Sequence, residues 1–246
     1  MMEEKSRKRA KEYFRKEPVV NSYQIARLKE DESEVKVARE HDTIKGVLIK
    51  KDSTITLRGE ESGLKKLMKD FENGKEFRFH AVDPISFEAL KNLLDIEDDR
   101  PTWLLKRIYF EPGKPDSEVR CLRKDDAEII NEYWGLSGSD STDYIKERIE
   151  KGPAYGIRRN GELVGWCLTH FVTDRTMMLG MLHIKEDWRR KGFAKDLTEK
   201  LCSEAREKDL IPAVQIFKDN EPSLSLAKGL GFEIRGEHHW FNGSKE

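Results

Sequence analysis

The chain has 246 residues, 37% hydrophobic and 9% aromatic, enough to bury one large core or two small ones. Its 46 Lys and Arg stand against 47 Asp and Glu, a formal net charge of -1, which excludes a global basic field that would draw nucleic acid or an anionic membrane surface. Cys121, Cys167 and Cys202 are widely spaced without a CxxC pair, which argues against a zinc knuckle, a redox dithiol or a disulfide scaffold. No apolar run approaches the ~18 residues of a membrane span, and the N-terminus is charged rather than signal-like. The expected location is therefore the cytoplasm, with no metal, no nucleic acid and no membrane as partner.

The first segment, EEKSRKRAKEYFRK, reads as a solvated helix that docks Tyr13 and Phe14. Three runs follow, SEVKVARE, IKGVLIKK and STITLRG, with apolar residues alternating at Val35/Val37, Val47/Ile49 and Ile55/Leu57, the pattern of a strand meander. GLKKLMKDF reads as a helix and EFRFHAV as a strand. SFEALKNLL is a helix opened by Ser86 after Asp83-Pro84, and TWLLKRIYF is a closing strand. Pro112-Gly113-Lys114-Pro115-Asp116 is turn-forming and poor in apolar residues, so it is read as the linker between domains 1–115 and 116–246.

Beyond it, VRCLRK is a strand, DDAEIINEYW a helix begun by aspartates, and STDYIKERI a helix that Ser141 or Thr142 can cap. AYGIRRNGELVGWCLTHFV holds Asn160-Gly161 between two alternating runs, a strong hairpin signal, and MMLGMLHI is the next strand. A helix from about Gly192 to Lys208 places Phe193, Leu197, Leu201 and Ala205 on one buried face. IPAVQIF is an interior strand, SLSLAKGL a short helix, and FEIRGEHHWF a final strand or strand pair. Strands, then helix, strand, helix, strand recur in both halves, and Asp83-Pro84-Ile85-Ser86 echoes Asp219-Asn220-Glu221-Pro222-Ser223, so the order predicts an internal duplication.

The run WRRKGFA sits between the strand MMLGMLHI and the helix that follows. A helix N-terminus presents unpaired N–H groups and about half a positive charge, so the loop before it is suited to an anion. Gly192 lets the backbone approach a ligand without a Cβ in the way, Ala194 keeps the first turn slim, and Arg189, Arg190 and Lys191 add charge. The expected anion is a phosphate or pyrophosphate.

The run LGMLHIKEDWRRKGFA, followed by a helix, an apolar strand and DNEPSLSLAKGLGF, resembles the GNAT acyltransferases over residues 116 to 241. The GML run, the DN-x-x-S run and EYWGLSGSDSTDYIKERI are most similar to the glycine N-acyltransferase-like branch. The resemblance implies an α+β fold of two GNAT-like halves, each a mixed, mostly antiparallel sheet flanked by helices. It implies an R/Q-x-x-G-x-G/A loop, matched by Arg189, Gly192 and Ala194, whose amides from Arg190 through Lys191, Gly192, Phe193 and Ala194 hold the pyrophosphate of coenzyme A. Leu182, His183 and Ile184 match the strand that bonds the pantetheine arm through its backbone. Asn220 matches the family's asparagine beside the arm and Ser223 its small neighbour; Asn220 also reads as a helix N-cap.

Acetyl-CoA is the implied co-substrate and a primary amine the implied acceptor. Transfer needs a deprotonated amine, a polarised thioester carbonyl and a proton for the thiolate. Many relatives carry a carboxylate base five positions before the residue that is Ile184 here, where this chain has Leu179, and Ala227 stands where a tyrosine often does. His183 is the best remaining base, with His170, Asp174, Glu186 and Asp187 behind it, and proton loss to water stays open. In the first half, Arg58-Gly59-Glu60-Glu61 occupies the place of the cationic loop, so one coenzyme site per chain is expected. Two alternatives remain beside an acetyltransferase: a glycine N-acyltransferase-like enzyme for a small amino acid, and a coenzyme A-binding regulatory module without turnover.

Overall fold

The structure, a computed structural model, describes residues 2–30, 32–111, 113–134 and 140–245. Pro112 of the expected linker and the GLSGS stretch at 135–139, part of the run similar to the glycine N-acyltransferase-like branch, lie outside the described residues. In the first half the elements are α1 (Met2–Phe14), α2 (Ser22–Arg27), β1 (Glu34–Glu40), β2 (Thr43–Lys51), β3 (Thr54–Gly59), α3 (Glu61–Leu67), β4 (Glu76–Val82), α4 (Pro84–Leu90), β5 (Asp95–Glu97) and β6 (Thr102–Lys106). The short α2 and β5 carry too few periodic residues to show in the sequence. The expected strand TWLLKRIYF stops at Lys106.

The second half runs β7 (Val119–Cys121), α5 (Asp126–Tyr133), α6 (Thr142–Lys151), β8 (Ala154–Arg159), β9 (Glu162–Val172), β10 (Thr176–Ile184), α7 (Phe193–Glu207), β11 (Ile211–Phe217), α8 (Glu221–Gly229) and β12 (Glu233–Ser244). Asn160 and Gly161 have φ of +51° and +83°, the two left-handed positions that a tight β8–β9 hairpin requires. At α6 the cap differs from expectation: Ser141 occupies the N-cap position without a side-chain bond, and Asp140 Oδ1 accepts from Thr142 N at 2.9 Å. Asp83 caps α4, accepting from the amides of Ile85 and Ser86 at 3.1 and 3.2 Å.

The chain forms an α+β fold of mostly antiparallel strands flanked by helices, in two compact units. Unit one comprises Met1–Leu104, Ile216–Leu224 and Ile234–Glu246; unit two comprises Leu105–Gln215 and Ser225–Glu233. These bounds differ from a single cut at 115/116. The reason is β12, which pairs antiparallel with β4 (Phe241↔Phe79, Gly243↔Phe77) and stacks Phe241 on Phe79 in the first unit's core.

Within unit one, β1–β2–β3 is an antiparallel meander and β3–β4 is parallel. Within unit two, β8–β9–β10 is an antiparallel meander and β10–β11 is parallel. Meander, helix, parallel strand and helix recur in the same order, the arrangement expected of a duplication. The core of unit two gathers Ile130, Ile145, Leu163, Trp166, Leu168 and Met181 from two helices and two strands. α7 packs on β8, β9 and β10, burying Phe193, Leu197, Leu201 and Ala205 as the spacing predicts. No helix among the described residues is long and apolar enough to cross a membrane.

Candidate functional site

β10 ends at Ile184, a 3-10 turn covers Glu186–Trp188, and four residues lead into α7. Within those four, Arg190 has φ +60° and Gly192, the N-cap, has φ +83°. These two left-handed residues fold the loop tightly before the helix. The first bond back to the cap runs from Asp196 N to Gly192 O (3.0 Å), and no side chain caps the helix, so the first-turn amides from Phe193 precede the hydrogen-bond ladder. The acidic residue of that turn, Asp196, is buried and turned away: it accepts from the amides of Asp116 and Ser117 at 3.3 and 2.9 Å. Open amides and the positive end of a 15-residue helix therefore meet solvent together.

The cations around this end are held by light contacts. Arg189 donates Nε to Ile184 O at 3.1 Å, Lys191 Nζ lies 4.4 Å above the Trp188 ring, and Trp188 in turn stacks on Phe193. Arg189, Arg190, Lys191 and Gly192 are exposed, Ala194 is half-buried, and a Cβ built on Gly192 would meet nothing within 4 Å.

The strand that delivers the chain to this loop loses its β11 partner on approach and bulges away from β9 before pairing with it again at His183 and Ile184. Pairing of β10 with β11 ends at Leu179↔Val214, and pairing with β9 skips from Gly180↔Leu168 to His183↔Trp166. Met181, inside this bulge, has φ +51°. A bulge frees backbone groups and re-aims side chains. Leu182 and His183 are half-buried and Ile184 is buried along that stretch. His183 stacks on Trp166 (4.9 Å, 25°) and leans on Tyr133 (4.9 Å), and its Nε2 is buried with no partner. Burial, then the charges of Arg189 and Lys185, lower its pKa, so the imidazole is neutral at pH 7.

Of the other residues singled out, Leu179 is buried, as is Ala227, while Glu186 and Asp187 are exposed on the 3-10 turn and Asp174 on the β9–β10 turn. His170 lies over β10: a Cβ built on Gly180 would overlap its imidazole. Asn220 and Ser223 fall in unit one, where Asn220 Oδ1 accepts from Ser223 N at 3.2 Å, the local capping role that its position before α8 predicts. Among the described residues, no three or more His, Cys, Asp or Glu are grouped to hold a metal ion.

Residues 123–232 match the model of the acetyltransferase (GNAT) family. Among solved structures, the chain is similar to a Drosophila protein from structural genomics (17% identity, 96% of this chain, 87% of that one, TM-score 0.71). A GCN5-related N-acetyltransferase from Sphaerobacter thermophilus (13%, 95% and 88%, TM-score 0.64) and a GCN5-related N-acetyltransferase-like protein from Streptococcus suis (16%, 98% and 99%, TM-score 0.61) share the fold over nearly the same length. No curated protein matches. The second half thus matches the acetyltransferase (GNAT) family model over residues 123–232, and the fold is shared with these structures along nearly the whole chain.

Proposed function

We propose that the chain is an N-acyltransferase that moves an acetyl or other short acyl group from acyl-CoA directly to a primary amine, in the cytoplasm. The observation that carries the reading is the α7 N-terminus: uncapped amides, a left-handed Gly192 and three cations stand immediately after the strand whose edge is freed at Met181. In this reading the amides from Arg190 to Ala194 hold the pyrophosphate with Arg189 and Lys191 beside it. The backbone of Leu182, His183 and Ile184 takes the pantetheine arm, and an amide of that stretch polarises the thioester carbonyl. Asn220 and Ser223 join the coenzyme contacts on the resemblance alone.

When bound, acetyl-CoA supplies an activated acyl group and a thiol leaving group, so the protein's tasks are to place the amine and to move its proton. His183, on that stretch, is a neutral imidazole, and loss of the amine proton to water is the alternative route. A small amino acid such as glycine is a narrower version of the acceptor. A coenzyme A-binding module without turnover is the competing reading, favoured by the apolar Leu179 and Ala227 where relatives carry a carboxylate and a tyrosine.

Thiol release from acetyl-CoA, measured with glycine, spermidine and a peptide with a free N-terminus, tests the reading. Acceptor-dependent release above the rate without amine supports a transferase. Tight coenzyme A binding with no release from any of the three supports the module instead.

A further inference from the structure

β9 also bulges, and the residue it ejects is a second histidine. Register passes from Met178↔Phe171 to Leu179↔Thr169, leaving His170 as the extra residue. Its ring reaches over Gly180, a position where any side chain would collide with it. An isolated glycine inside a strand commonly marks such a close approach. Nδ1 of His170 lies 3.1 Å from the hydroxyl of Tyr144 on α6, and Arg148, one turn further on, donates Nη1 to the His170 carbonyl at 2.7 Å. Trp134 lies beside the ring and beside Tyr144. The imidazole is thus held from three sides directly above the residue where β10 leaves β11.

We propose that His170, oriented by Tyr144 and admitted by Gly180, is the proton acceptor for the attacking amine, an inference that rests on the transferase reading above. In the arrangement proposed, Nδ1–H donates to the Tyr144 oxygen and Nε2, the ring atom nearest Gly180, keeps its lone pair over β10. The amine nitrogen attacks the thioester carbonyl and forms the C–N bond. The nitrogen of that adduct is far more acidic than a free ammonium, so a weakly basic imidazole accepts its proton at Nε2. The C–S bond then breaks, coenzyme A leaves as thiolate, and the proton passes from His170 to sulfur directly or through water. Amide and thiol are the only products.

The groups around the ring make it neutral and weakly basic. Burial, then the Arg148 guanidinium, push the His170 pKa down to about 4, so it is neutral across the physiological range. Arg148 is itself paired with Glu147 at 3.0 Å, and Tyr144 is the titratable group on the ring nitrogen. His183 offers less: its Nε2 is sealed between Trp166 and Tyr133.

Nitrogen-15 NMR of histidine-labelled protein saturated with acetyl-CoA reads the tautomer. An unprotonated Nε2 on His170 that shifts when acetyl-CoA replaces coenzyme A is the expected result; a proton on Nε2 overturns the proposal. With an amine that supports turnover, His170→Gln is expected to lower kcat by roughly 10²-fold at pH 7, with KM for acetyl-CoA within about threefold. Tyr144→Phe, which keeps the ring, is expected to lower kcat by about tenfold and to move the tautomer balance. A His170→Gln kcat within about threefold of wild type, or a Tyr144→Phe protein unchanged in both readouts, overturns the assignment. If calorimetry finds no coenzyme A binding to wild type, the transferase reading has failed and this inference falls with it. Binding with an unaffected kcat sinks His170 alone.

Discussion

At Gly192 a φ of +83° and open space around the Cα separate two effects that a substitution usually mixes. Gly192→Ala meets no atom but must adopt the left-handed region, which costs about 1 kcal/mol. Urea unfolding is expected to show that loss, and an unchanged midpoint would mean the loop relaxes to another conformation. His183 carries the complementary prediction. Its pKa lies below the ordinary histidine value of ~6.5, so the rise of rate with pH on the alkaline side of neutrality belongs to the amine. The wild-type to His183→Ala turnover ratio is expected to stay flat and within a few-fold. A ratio near 10² at pH 7 that shrinks toward pH 9 would return the proton to His183. The glycine, the three cations and the histidine beside them were legible because they lie within a dozen residues. The cradle of His170 was not, because it depends on a bulge between two strands, although the lone Gly180 within an apolar run was a usable signal.

α7 is the element on which the candidate site depends, and buried carboxylates hold its flank. Glu199 Oε2 accepts from Arg107 Nη1 (3.0 Å) and Gly113 N (2.9 Å), while Arg206 bonds the Phe110 carbonyl and pairs with Glu111 at 2.8 Å. The segment read as the linker is strapped along the helix at Gly113, Asp116 and Ser117. Glu199→Ala would leave a guanidinium only 11% exposed without its partner, a loss of about 3 kcal/mol. Denaturation followed by tryptophan fluorescence checks this, and a change below about 1 kcal/mol would show the strap to be incidental. The apolar face of α7 was readable from its spacing of four. Its buried acids were not, since Asp196 and Glu199 read as solvated until the segment that covers them is known. β12 shows the same limit: FEIRGEHHWF reads as a strand, but its partner β4 is some 150 residues earlier in the chain.

At the scale of the whole molecule, buried histidines set an acid limit on stability. Burial above all lowers His80 to about 3 and His238 to about 4. In the unfolded chain both protonate near ~6.5, so below that pH the unfolded state binds more protons and stability falls until the folded pKa is reached. Each contributes on the order of 1 kcal/mol of loss by pH 5.5. The urea midpoint is expected to drop between pH 7.5 and 5.5, less so in His238→Asn; an equal drop in both proteins would remove His238 from the account.

The two halves share an order of elements but differ where a ligand would enter. In unit one the parallel pairing of β3 with β4 stops after Ile55↔Phe79, and Gln24 Nε2 bridges the gap, donating to Thr56 Oγ1 (3.0 Å) and the Ala81 carbonyl (2.8 Å). Ser86 Oγ accepts from Gly59 N at 3.0 Å, and Glu60 stands at the cap of a seven-residue α3. A side chain of the chain itself thus spans that gap, and a carboxylate stands at the cap where the second half has cations. Isothermal titration of coenzyme A into wild type and Gly192→Glu is therefore the most direct test. The account predicts one equivalent per chain for wild type and affinity lowered by orders of magnitude in a folded Gly192→Glu; two equivalents, or unchanged affinity in the variant, would contradict it.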